Sequence, residues 1–205
     1  MLKQLFDKHV CDKSSKHKYH TVYDQLFSPI KDDPIKFLEI GVFKGASTAA
    51  FHEYFQNGTI YGLDIFVRTN PSELAILNED RVKWLKGDST SPTVAAQIHE
   101  WWDDVKFDVI LDDGMHTPAA NMATFQNLLP FLKQGGMYII EDVWPLELMS
   151  TVELQHPWLT KNADRYTDLE NMKFLDAMSK SGLSIERFDL RGETGEPDSY
   201  IIKMS

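Results

Sequence analysis

The chain has 205 residues, 42% hydrophobic and 25% charged, with a formal net charge of −10 at pH 7. That length suits one domain with a substantial core, and the acidic balance argues against a nucleic-acid partner, which calls for a basic face. A single cysteine, Cys11, rules out an internal disulfide framework and a thiolate metal site, so the expected setting is the cytoplasm, with no signal-peptide core and no membrane span.

Lys3, Lys8, Lys13, Lys16 and Lys18 crowd the N-terminus as one local basic patch, and Leu2, Leu5 and Phe6 are spaced for a short amphipathic helix. Residues 12–27, DKSSKHKYHTVYDQLF, have two compatible readings. Tyr19, Val22, Tyr23, Leu26 and Phe27 recur at helical spacing and cover a core. Alternatively the segment is a lid, with Lys16, His17, Tyr19 or Tyr23 facing a ligand.

Residues 35–40 form the first strand, apolar except for Glu39. A buried unpaired carboxylate is costly, so Glu39 calls for a specific partner. Gly41 breaks the strand, and Gly45 precedes Ser47 and a helix to about residue 55. Glycines allow a tight turn and close approach to a ligand, and the helix start behind them presents free N–H groups. The G-x-x-x-G spacing differs from the G-x-G-x-x-G dinucleotide fingerprint. A second strand, 59–63, ends at Asp64, where an acidic residue accepts hydrogen bonds from a ribose diol. A third, 82–86, closes at Gly87-Asp88-Ser89, and residues 92–102 are helical.

The stretch 107–143 reads as strand, acidic turn, helix, Gly135-Gly136 stop and second strand. Thr117 stands at the N-cap with Pro118 behind it. Strands joined by a helix run parallel, so Asp112-Asp113 and Glu141-Asp142 emerge at one end of the sheet. If neighbouring, these strands lie roughly 4.8 Å apart, and up to four carboxylates converge with His116. Such a cluster needs a cation, shared protons or wide separation. A crystal grown with Mg²⁺ should show density contacted by Asp113, Glu141 and Asp142; a lysine or arginine side chain in its place would mark the cluster as structural. Simpler readings make Asp112 and Asp113 turn formers and His116 a helix cap. Residues 143–166 are irregular and aromatic, with Trp144 and Trp158 placed either to pack or to stack on a sugar. A helix at 169–180 and an antiparallel hairpin of 183–190 with 199–204 complete the chain.

This order predicts an α/β fold: a Rossmann-like, doubly wound, mostly parallel sheet with an antiparallel C-terminal hairpin. One domain spans 1–205, with a helical lid or entry segment at 1–34 and an α/β core at 35–205. The acidic residues punctuate the carboxyl ends of its strands, where such sheets bind ligands.

The E-I-G-x-x-x-G of residues 39–45, Asp64, Gly87-Asp88 and this sheet order resemble class I S-adenosylmethionine-dependent methyltransferases, from residue 35 onward. Asp112-Asp113-Gly114-Met115-His116, followed by Ile140-Glu141-Asp142, resembles the D-D-G-x-H and E-D signatures of metal-dependent O-methyltransferases acting on macrolide sugars. The pattern DK-x-S-x-KH-x-Y-x-x-x-Y at 12–23 is similar to an entry motif of that group. Met115 stands where the group has a small residue. Nothing in these residues corresponds to the extra N-terminal domain of the macrolide enzymes, which leaves the acceptor and a homo-oligomer open.

The resemblance implies S-adenosylmethionine and Mg²⁺, or another hard dication, as cofactors. It puts Glu39, Gly41, Gly45 and Ser47 at the methionine end, Asp64 on the ribose, Asp88 and Ser89 near the adenine, and Asp112 beside the cofactor. Asp113, Glu141 and Asp142 become metal ligands, with Asp113 also catalytic, and His116 the general base. The implied reaction is O-methylation of a hydroxylated small molecule such as a sugar. A catechol-type acceptor and a non-catalytic cofactor-binding domain are the alternatives. No nucleic acid and no membrane is expected as a partner.

Overall fold

A computed structural model describes residues 1–205. Seven strands form one sheet in the order β3-β2-β1-β4-β5-β7-β6. They are β1 (Lys36–Ile40), β2 (Thr59–Asp64), β3 (Val82–Lys86), β4 (Phe107–Asp112), β5 (Leu132–Ile140), β6 (Ile185–Asp189) and β7 (Tyr200–Met204). The first five pair in parallel, while β7 is antiparallel to both β5 and β6. The expected fold class is the observed one. Strand order reverses between β1 and β4, and the acidic turns lie at the carboxyl ends around that switch.

Successive residues of β1 face opposite layers, as a strand's two-residue period requires. Phe37 joins an aromatic layer with Phe6, Tyr23, Phe27, Phe51 and Phe55. Leu38 and Ile40 join the opposite layer with Ile110, Phe125 and Tyr138. Truncating one such fully buried phenylalanine to alanine costs about 3–5 kcal/mol. A separate small cluster of Trp144, Leu146, Met149 and Leu159 packs beneath the irregular stretch, with Tyr166 against it.

The N-terminal residues are part of this core. Helices α1 (Leu2–Lys8), α2 (Asp12–Ser15) and α3 (His20–Phe27) bury Leu2, Phe6, Tyr23 and Phe27. Residues 12–27 are therefore two helices, broken at Lys18, whose φ of 55° is left-handed. Lys13, within α2, faces inward. It does not belong to the expected basic patch, because it is buried while its neighbour Lys16 is exposed.

Helix α4 (Ala46–Tyr54) follows β1, α5 (Val94–Trp102) follows β3, and α6 (Pro118–Leu128) follows β4. Thr117 caps α6, its hydroxyl accepting from the Ala120 N–H at 3.4 Å. The stop expected at Gly135-Gly136 lies earlier. Pro130 sits in a single 3-10 turn at Leu129–Phe131, and β5 begins at Leu132. The glycines serve the strand instead. The β4–β5 register slips there, and a Cβ on Gly136 would lie 2.8 Å from the Asp108 carbonyl oxygen. The aromatic stretch holds α7 (Pro157–Lys161); α8 (Asp168–Ser179) and α9 (Arg191–Thr194) flank β6.

Candidate active site

Gly41 ends β1 at φ +93°, and a Cβ there would stand 1.9 Å from the Asp113 carbonyl oxygen. That contact ties the glycine turn to the acidic turn. Gly45, at φ +78°, opens α4, and a Cβ on it would meet Ile76 at 2.6 Å. Between them the Phe43 N–H donates to Asp64 Oδ2 at 2.8 Å, and the Phe66 N–H to Asp64 Oδ1 at 2.5 Å. Asp64 thus pins the glycine loop, with spare lone pairs on both oxygens. Asp88 is exposed and accepts from the N–H and hydroxyl of Thr90 at 2.9 and 2.7 Å, closing its own turn. Ser89 shares a 2.9 Å hydrogen bond with Thr124.

Glu39 is fully buried. The Thr48 hydroxyl donates to Oε2 at 2.5 Å, and Oε1 has no partner. Burial pushes its carboxyl up to about 7, against the opposing pull of Lys13 and the Ser47 and Thr48 hydroxyls. Asp112 repeats the pattern. The Gly114 N–H donates to Oδ1 at 3.2 Å, Oδ2 is buried and free, and burial lifts the carboxyl to about 7. Two unpartnered buried acceptors beside a glycine turn suit a polar ligand carrying donors.

The β4–β5 register aligns Asp112 with Ile140, and the Glu141 N–H donates to the Asp112 carbonyl at 3.0 Å, so the two acidic pairs stand side by side. Ligand atoms of Asp113, His116 and Asp142 lie within 4.8 Å of one another. His116 Nε2 is 3.6 Å from Asp113 Oδ1 and 4.0 Å from Asp142 Oδ2. His116 and Asp142 both take left-handed backbone, at φ 58° and 49°, which turns their side chains to one point. Two carboxylates at that spacing suit a hard cation, whereas the imidazole suits softer metals or proton transfer.

Glu141 is placed differently. It is fully buried, with the Lys13 ammonium on Oε2 and the Tyr23 hydroxyl on Oε1. Lys13 also donates to Asp113 Oδ2 at 2.5 Å. The Tyr19 hydroxyl donates to Asp142 Oδ1 at 2.5 Å, and His17 Nδ1 lies 3.7 Å from the same oxygen. Thus the packing reading of residues 12–27 holds, since the rings of Tyr19 and Tyr23 fill the core; their hydroxyls reach carboxylates of this chain, and Lys16 stays exposed. Lys13 was not among the expected site residues. Its signal was its place in the 12–23 motif, six residues before Tyr19 and ten before Tyr23.

Burial pulls the Lys13 amine down, but Asp113 and Glu141 outweigh it and hold the ammonium well above its ordinary value. Burial pushes Glu141 up against that same ammonium. These tendencies oppose each other across one ion pair. The ionised form fits the geometry, since both Glu141 oxygens accept hydrogen bonds. Burial likewise raises Asp113, against Lys13 and His116. For Asp142 burial acts upward, but His116, His17 and Lys13 outweigh it and hold the carboxyl low. One ammonium does not neutralise this set of carboxylates, so the cluster retains an appetite for positive charge.

The wall beside His116 is aromatic. The Tyr166 hydroxyl donates to the His116 carbonyl at 3.1 Å, and Trp158 Nε1 donates to that hydroxyl at 3.3 Å. Trp144 is buried and packs, whereas Trp158 and Met115 are half exposed.

The chain matches known methyltransferases in sequence and in fold. A family model described as a methyltransferase domain matches residues 38–143. An 8-demethyl-8-alpha-L-rhamnosyl tetracenomycin-C 2'-O-methyltransferase from Streptomyces olivaceus is 31% identical over 150 residues, covering 67% of this chain and 37% of that protein. A mycinamicin VI 2''-O-methyltransferase from Micromonospora griseorubida is 31% identical over 135 residues, covering 62% of this chain and 32% of that protein. The chain thus spans about a third of the length of the curated relatives it matches. Among solved structures, a methyltransferase from the mycinamycin biosynthetic pathway, in complex with Mg, SAH and mycinamycin VI, superposes with a TM-score of 0.69. It is 24% identical, over 100% of this chain and 54% of that one.

Proposed function

Because the chain belongs to the methyltransferase-domain family, we propose that it transfers a methyl group from S-adenosylmethionine to a hydroxyl of a sugar or glycosylated small molecule, with the aid of Mg²⁺. The convergence of Asp113, His116 and Asp142 at the strand ends, next to the glycine turn, carries this reading. The sugar-directed relatives support the acceptor class.

Glu39, Gly41, Gly45, Ser47 and Asp112 are positioned to hold the methionine end, Glu39 Oε1 and Asp112 Oδ2 offering free buried acceptors. Asp64 takes the ribose on its spare lone pairs, and Asp88 with Ser89 borders the adenine. Asp113, Glu141 and Asp142 would hold the cation. Bound there, the cofactor supplies an electrophilic methyl group and the dication makes the acceptor hydroxyl more acidic. His116 Nε2 receives the hydroxyl proton, with Asp113 and Asp142 beside it to stabilise the imidazolium. Tyr166, bonded to the His116 carbonyl, keeps the imidazole in its left-handed perch.

The test is single-turnover methyl transfer to a panel of glycosides and catechols, with and without Mg²⁺. His116→Ala should leave cofactor and metal affinity within a few-fold while the rate falls by roughly 10²–10⁴. Equal rates would remove His116 from the chemistry. Transfer to catechols alone would move the acceptor class, and no transfer to any acceptor would favour a binding domain.

A further inference from the structure

Lys13 lies 100 and 128 residues away in sequence from the two carboxylates it touches, Asp113 and Glu141. Its side chain is only 4% exposed. A buried ammonium is tolerated only with paired charge, and Lys13 has two such partners. Those partners are the inner half of the carboxylate cluster. Both Glu141 oxygens already accept a hydrogen bond, Oε2 from the Lys13 ammonium and Oε1 from the Tyr23 hydroxyl.

We propose that Lys13 is a tethered counter-cation of the Asp113–Glu141 pair, which a divalent ion must displace to bind there. The proposal rests on the reading above that this cluster holds a divalent cation. Two cations sharing the same carboxylate oxygens repel each other strongly inside a protein, so ammonium and dication are alternative occupants. The exchange requires no refolding. Around Lys13 the backbone is fixed without its charge: Ser14 donates to Asp7 at 2.7 Å, and His17 shares a 2.8 Å hydrogen bond with Ser199. Asp113 and Glu141 are fixed by backbone bonds to β1 and β4, the Asp113 N–H donating to the Ile40 carbonyl at 3.0 Å. Only the flexible four-carbon stem of the lysine has to swing. The ammonium thereby offsets part of the negative charge of the site when no metal is present and sets how tightly the metal is held.

The counter-cation role predicts that removing the charge tightens metal binding. Lys13→Met should bind Mn²⁺ at least tenfold more tightly than the unmodified chain, about 1.4 kcal/mol, read by electron paramagnetic resonance titration. Lys16→Met, which removes an exposed charge nearby, should change affinity much less. In the unmodified chain, acetic anhydride should label Lys13 several-fold faster at saturating Mg²⁺ than without metal, as measured by mass spectrometry; this readout stands even where Lys13→Met fails to fold. Unchanged or weaker Mn²⁺ binding in Lys13→Met overturns the proposal and leaves the metal reading intact. Equal tightening in Lys16→Met, or Lys13 labelling that ignores metal, also overturns it. Mn²⁺ binding by neither protein overturns the metal reading and this proposal with it.

Discussion

The two halves of the acidic edge satisfy their charges in different ways. Around the glycine turn, Asp64 and Asp88 are bonded to groups close in sequence: Phe43, Phe66 and Thr90. Around the acidic turns, Asp113, Glu141 and Asp142 are bonded to Lys13, Tyr23 and Tyr19, more than 90 residues away. The first half is completed within residues 41–90, by the turns after β1, β2 and β3. The second exists only once the N-terminal helices have packed, so its geometry depends on the stability of the whole core. Local satisfaction gives a rigid cradle, whereas long-range satisfaction gives a site whose occupancy can be coupled to distant residues.

The largest effect belongs to the point where the halves touch. Gly41→Ala puts a Cβ on the Asp113 carbonyl and demands a left-handed φ from alanine. It should cost at least about 3 kcal/mol in urea unfolding and abolish binding of both S-adenosylhomocysteine and Mn²⁺. Loss of only one ligand would show that the halves are independent.

Next comes Glu39, which belongs to the cofactor half but feels Lys13. Its folded-state value of about 7 lies above its ordinary value of 4.5. The folded chain therefore binds the extra proton between those pH values, and the contribution of Glu39 to stability falls as pH rises from 4.5 to 7. Glu39→Gln should match the unmodified chain below pH 4.5 and exceed it at pH 8, by up to about 3 kcal/mol. Urea unfolding at pH 4.5 and 8 without cofactor measures this. A gain that is the same at both values would exclude ionisation of Glu39 as its source.

The smallest effect tests the self-contained half. Asp64→Ala should weaken S-adenosylhomocysteine by about tenfold, or 1.4 kcal/mol, while Mn²⁺ binding stays within two-fold. Calorimetry with each ligand decides it, and a comparable loss of Mn²⁺ affinity would erase the distinction between the halves.

Much of this molecule was legible because it rests on local signals. The alternation of short apolar runs with helical stretches specifies that most strands of the sheet run parallel, since parallel neighbours need helical crossovers. Thr117-Pro118 marks the start of α6, and the glycines and aspartates at strand ends mark the binding edge. Gly135-Gly136 misled because a glycine pair suits a helix stop and a strand bulge equally well. Only the close approach of the Asp108 carbonyl chose between them.

Residues 12–27 mark the boundary of what sequence determines. Their periodicity established that Tyr19, Tyr23 and Phe27 face a core, because burying apolar surface drives that choice wherever the segment docks. It did not reveal the break at Lys18, nor that Lys13 would be buried, because lysine is normally a surface residue and its exception depends on partners elsewhere. The sequence brought Asp113 and Glu141 to one sheet edge. Only the tertiary structure decided which cation stands between them, since a charge in the interior is set by the groups that surround it in space and not by its neighbours along the chain.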